Sequence, residues 1–151
     1  MPTSTTENSV QIKVSKIDKS RIEEVDFNNI PFGKIFSDHM FVVDYEDGQW
    51  NNPEIRPFGN LSMSPAISAL HYGQAIFEGL KAYKDGSGNV KVFRPLDNHR
   101  RFNSSAKRMC MPTLPEGLFM DALNQLLTLD REWVPPVDGC EIGRASCRER
   151  V

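Results

Sequence analysis

The sequence predicts an α+β domain, with antiparallel β-hairpins and helices to one side of them. Three observations carry that expectation. Two stretches alternate apolar and polar residues around turn-forming clusters, "EDGQ" at 46–49 and "DGSGN" at 85–89. Two later stretches repeat apolar residues at helical spacing. The chain has 151 residues, 39% of them hydrophobic, which gives room for one domain with a modest core.

Taken in order, residues 1–25 are polar and are expected as a flexible leader with one short strand at "VQIKV". The domain proper is expected over 26–140. Met40, Val42 and Asp44 alternate with Phe41, Val43 and Tyr45, "EDGQ" supplies the turn, and "IRPF" is the return strand. Ser64 before Pro65 marks a helix start, and Gly73 keeps that helix short. "FEGLKAYKDGSGNVKVFRP" reads as a second hairpin. In "DNHRRFNSSAKRMCM", Asp97 or Asn98 is the expected cap, and Phe102, Ala106 and Met109 share a face. In "GLFMDALNQLLTLDREWV", Leu118, Phe119, Ala122, Leu123, Leu126 and Leu127 form an amphipathic stripe that Pro135 and Pro136 end.

Charge narrows the function classes. Eighteen basic and twenty acidic residues leave a net charge of −2, so electrostatics make no case for nucleic acid or an anionic membrane surface. No apolar run approaches the ~20 residues that span a bilayer. The start of the chain has no apolar signal core and carries acidic residues early, so the cytoplasm is the expected compartment. Cys110, Cys140 and Cys147 have no CxxC spacing, which predicts neither a disulfide framework nor a metal site. Cys110, close to Met109 and Met111, reads as a small buried apolar residue.

Few residues suggest chemistry. Arg101 lies four residues before Ser105, so both project from one helix face and together suit a phosphate. A solvated helix face explains the same spacing, and on spacing alone it is the better account. Tyr72 and Phe77 flank Gly73, where backbone can be approached closely, and suit an apolar pocket with one polar tip. Ordinary core packing explains them too, and on composition alone it is the better account. His71 has no metal-ligand spacing to His39 or His99. Glu78 has the chemistry of a base, without a partner that can be named from sequence.

Four stretches together go further: "FGKIFSDHM", "PFGNLSMSPAISALHYGQAIFEGLKAY", "VFRPLDNHRRFNSSAKRMCMP" and "DREWVPP". In order and spacing they resemble the N-terminal domain of branched-chain amino acid aminotransferases, which are fold-type IV pyridoxal phosphate enzymes. The resemblance runs from about Phe32 to Cys140. It implies the small α+β domain of that fold. It implies an amino-group transfer from leucine, isoleucine or valine to 2-oxoglutarate, with pyridoxal 5'-phosphate as cofactor and a homodimer as the complete assembly. By position in the motifs, Arg101 falls on the family's phosphate-binding arginine. Tyr72 and Phe77 fall on aromatic residues of the substrate side-chain pocket, and Phe32 is assigned to the same pocket. No catalytic residue is implied here, because Lys81, Lys84, Lys91 and Lys107 do not match the family's cofactor-bearing lysine. The 151 residues are therefore expected to be a fragment, inactive alone. Other fold-type IV enzymes, D-amino acid aminotransferase and aminodeoxychorismate lyase, share mainly the general architecture, and a non-catalytic binding module is the reading from outside enzymes.

Residues 141–151, "EIGRASCRERV", do not match the resemblance. They show no apolar periodicity and resemble the in-frame translation of a common sequencing-library adapter. The expectation is that they are a non-native tail. Sequencing the locus independently from the source tests this, and codons for Glu141–Val151 followed by a stop would refute it.

Overall fold

A computed structural model describes residues 11–27, 29 and 33–135. Phe32, Cys140, Cys147 and the tail at 141–151 lie outside the described residues.

The first hairpin joins β2 (His39–Glu46) to β3 (Gln49–Pro57); β1 (Lys13–Val14) precedes them. Asp47 and Gly48 form the turn at φ 53° and 78°, both left-handed, as a tight hairpin loop requires. Pairing runs from His39 opposite Pro57 to Glu46 opposite Gln49, with an irregularity between Val42 and Asp44. The strand expected at "VQIKV" is present as β1, which pairs parallel to β3, Val14 opposite Ile55. The three strands lie in the order β1-β3-β2. Central position in that sheet buries Ile55 completely.

Residues 12–21, which belong to the expected leader, make specific contacts. Ile12 is buried in the core cluster. Ser20 Oγ donates to Asp38 Oδ2 at 2.5 Å, and the Arg21 backbone N–H donates to Asp38 Oδ1 at 3.2 Å.

Helix α1 (Ser68–Tyr72) starts later than Ser64 suggested. Pro65 and Ala66 form a turn first, with Ser64 Oγ accepting from the Ala66 N–H at 3.2 Å. Gly73, at φ 63°, ψ 22°, ends the helix in the left-handed conformation that glycine adopts at least cost. The second hairpin is β4 (Ala82–Lys84) with β5 (Val90–Val92). Asp85 organises its loop, its carboxylate accepting from the backbone N–H groups of Ser87 and Asn89.

Helix α2 (Pro95–Arg108) begins before the expected cap. Arg94, at φ 49°, ψ 52°, is the N-cap, and Pro95 opens the helix, where its missing N–H costs nothing. Asp97 sits inside the first turn and pairs with Arg94 and Arg100 instead of capping. Phe102 and Ala106 are buried as expected, whereas Met109 is 38% exposed because it lies at the C-cap. Cys110 is exposed, not buried. It takes φ 56° directly after the helix, in the position glycine usually holds. The Met111 N–H returns to the Ala106 carbonyl at 2.9 Å and the Cys110 N–H to Lys107 at 3.2 Å, which turns Met111 into the core and Cys110 out of it.

Helix α3 (Glu116–Leu129) buries Leu118, Phe119, Ala122 and Leu123. It stops at Leu129, ahead of Pro135, and the side chain of its C-cap, Asp130, reaches the start of β2. Asp130 Oδ2 accepts from the His39 backbone N–H at 3.0 Å, and its Oδ1 lies 2.6 Å from His39 Nδ1. A short turn, Arg131–Trp133, follows, and Trp133 Nε1 donates to Asp38 Oδ2 at 2.8 Å. The apolar faces of α2 and α3 meet Ile12, Ile55 and Leu80 in one core cluster. The α+β expectation therefore holds, with α3 packed on β2 and on α2.

Candidate functional site

Arg101 sits on α2, and what orients it comes from the loop ahead of β4. Glu78 is buried at 7% exposure. It forms a two-pronged ion pair with the guanidinium: Arg101 Nε donates to Glu78 Oε2 at 2.7 Å, and Nη2 donates to Oε1. Asn98 Nδ2, one turn earlier on α2, donates to Glu78 Oε1 at 2.9 Å and to the Gly79 carbonyl at 3.0 Å. The second hairpin turns the chain back so that α2 starts beside this loop.

Burial of a carboxylate is costly unless its oxygens are matched by charge and N–H donors. Here the match is good. Hydrogen bonds from Arg101 hold the Glu78 carboxyl below the ordinary glutamate value of 4.5, against desolvation that pushes it up, with Asn98 assisting. The Glu78 hydrogen bonds and charge raise the Arg101 value correspondingly, so the guanidinium stays charged. The Arg101 side chain is 68% exposed, against 8% for Glu78. The pair is thus a buried carboxylate presenting an arginine to solvent.

This gives a pH signature. A carboxyl lowered by folding stabilises the folded state above its unfolded value and loses that contribution as pH falls through the folded value. The stability difference between the parent and Glu78→Gln is therefore expected to be widest near pH 6–7 by this linkage. It should narrow below 4.5, the ordinary glutamate value. Urea titrations from neutral to acid pH check it. A constant difference would remove charge from the account of Glu78.

The aromatic candidates are on the surface. Tyr72 is 85% exposed at the end of α1, and Phe77 is 71% exposed, immediately before buried Glu78. Neither is buried against the described residues. Phe77 directly precedes Glu78, the partner of Arg101, and Tyr72 directly precedes Gly73 at the end of α1. His71 Nε2 lies 2.7 Å from the Pro65 carbonyl, where it fastens α1 to the preceding turn. Ser105 is half-buried one helical turn beyond Arg101. Among the described residues no group of three or more His, Cys, Asp or Glu could hold a metal, and no helix is long and apolar enough to cross a membrane.

Sequence reasoning missed Glu78 and Asn98 as the holders of Arg101. Glu78 and Arg101 are 23 positions apart, and no local motif links them.

Fold and site together define an α+β domain with an exposed arginine ion-paired to a buried carboxylate. No protein-family model matches the chain. It is 47% identical over 121 residues to branched-chain-amino-acid transaminase 1 of Bacillus subtilis, a match covering 80% of this chain and 34% of that protein. It is 46% identical over 114 residues to the branched-chain-amino-acid aminotransferase of Mycolicibacterium smegmatis, covering 75% and 31%. With branched-chain-amino-acid aminotransferase 2 of B. subtilis it shares 39% over 138 residues, covering 91% and 37%. By sequence the chain belongs to the branched-chain-amino-acid aminotransferases. It spans about a third of the length of these relatives.

Proposed function

We propose that these residues form the part of a branched-chain amino acid aminotransferase that anchors the phosphate of pyridoxal 5'-phosphate and lines the substrate side-chain pocket. The reaction is amino-group transfer from leucine, isoleucine or valine to 2-oxoglutarate. The observation that carries the reading is the outward-facing Arg101, held by a buried carboxylate in a chain 47% identical to a protein named as a branched-chain transaminase.

The residues fit the cofactor. A phosphate needs a permanently charged donor with unsatisfied N–H groups. Glu78 takes the Nε and Nη2 edge of Arg101, and the Nη1 side of an exposed guanidinium is left for an anion. When bound, pyridoxal phosphate supplies the electron sink that lets an amino acid exchange its Cα proton. Arg101 would hold the phosphate end of the cofactor in place. Tyr72 and Phe77 would give a branched side chain apolar contact, with Phe32 assigned to the same wall by its place in the sequence motif. The family resemblance supports a homodimer and the cytoplasm, and the net charge of −2 argues against nucleic acid as a partner.

Phe77→Ala tests the pocket. The suitable protein is a chimera in which residues 11–135 replace the stretch they match in B. subtilis transaminase 1. Removing the ring is expected to lower kcat/KM for leucine and isoleucine by roughly ten- to hundredfold, with glutamate affected much less. Phe77 is 71% exposed among these residues, so its removal is expected to leave the fold of this domain intact. Equal losses for all three substrates would refute the pocket role.

A further inference from the structure

We infer that Glu78 is a positioning residue: its buried carboxylate, itself held by Asn98, occupies one edge of the Arg101 guanidinium and so aims the other edge at an incoming phosphate. This rests on the phosphate role proposed for Arg101. A free arginine side chain on a helix surface samples many rotamers, and fixing one on binding opposes affinity. The pair with Glu78 removes that freedom beforehand. Three features make the arrangement directional. The carboxylate is at 7% exposure and the arginine side chain at 68%, so the ion pair is anchored at one end only. The contact uses Nε and Nη2, the side edge of the guanidinium plane, which fixes where Nη1 points. Asn98 ties Glu78 Oε1 and the Gly79 carbonyl to α2 itself, so carboxylate and arginine move with one helix.

A competing effect has the opposite sign. A carboxylate near a phosphate repels it, and removing the charge alone would tighten binding. The paired, solvent-exposed Arg101 guanidinium offsets the Glu78 charge and limits that gain to about two- or threefold. Loss of the aligned edge is the larger effect. A glutamine amide can accept from one guanidinium N–H but turns its own N–H toward the other.

The experiment measures dissociation constants of the same chimera for pyridoxal 5'-phosphate and for pyridoxal, which lacks the phosphate. Glu78→Gln is expected to weaken pyridoxal phosphate by about tenfold and to leave pyridoxal unchanged. In Arg101→Ala, adding Glu78→Gln should cause no further loss, because there is no guanidinium left to aim. Asn98→Ala, which leaves the ion pair intact, should shift the phosphate-bearing ligand in the same direction by about two- to fourfold, and it serves if Glu78→Gln does not fold. Tighter or unchanged pyridoxal phosphate binding in Glu78→Gln, with Arg101→Ala weakened, overturns the positioning role and leaves the phosphate role standing. Equal weakening for both ligands overturns it in favour of a general packing defect. If Arg101→Ala itself keeps the full preference for the phosphorylated ligand, the phosphate role fails and the inference falls with it.

Discussion

Arg101→Ala in the grafted enzyme is expected to raise the dissociation constant for pyridoxal 5'-phosphate by roughly ten- to a hundredfold, the worth of a charge-assisted contact to phosphate. The effect should reside in affinity. Arg101 also matches the charge of buried Glu78, so the variant is expected to lose folding stability as well, which urea unfolding reads separately; in folded protein, excess cofactor should restore most of the turnover. Absorbance titration of the apoenzyme measures this directly. Unchanged affinity would mean that the exposed guanidinium serves only Glu78, and that the phosphate is held elsewhere. A second signature separates charge from shape. Arg101→Lys keeps the charge but not the planar fork, so it should recover part of the loss and not all of it.

Ile55→Ala is expected to cost about 2–5 kcal/mol of folding stability, the range for deleting a buried branched side chain where the surroundings cannot close over the gap. Ile55 has no exposed surface, and it lies on the central strand with β1 on one side and β2 on the other. The cavity would open beneath Ile12, Leu80 and the apolar face of α3, all in one cluster. Domains are commonly stable by only about 5–15 kcal/mol, so this single change approaches the whole margin. Urea unfolding of the graft reads the cost. A loss under 1 kcal/mol would show that the sheet is not the centre of the core.

Where local chemistry decides structure, the sequence was informative. The Asp47–Gly48 turn needs two left-handed residues, and Asp-Gly is a pair that accepts that geometry, so the first hairpin could be read directly. The "DGSGN" loop worked similarly, because Asp85 caps its own turn. Boundaries fared less well. Asp97 has the chemistry of a helix cap, but two arginines compete for its carboxylate, and Pro95 had already started the helix. Cys110 reads as apolar and buried from composition, yet the helix end places it at φ 56° and turns it outward. The longest-range features left no trace in the sequence. Asp130, at the end of α3, reaches His39 across 91 positions. Arg101 could be picked out as one of several arginines, and its place in the family motif singled it out. Glu78, which orients it, is an isolated acid until the second hairpin brings the two together.

The most direct test of the account asks whether these residues serve as the matching third of a branched-chain aminotransferase. The measurement is glutamate formation by the chimera carrying residues 11–135 within B. subtilis transaminase 1, supplied with 2-oxoglutarate and leucine, isoleucine or valine, alongside the bound-cofactor absorbance. The account predicts bound cofactor and turnover with all three branched amino acids, both reduced by Arg101→Ala. A soluble, cooperatively folded chimera that binds no cofactor and forms no glutamate would contradict it.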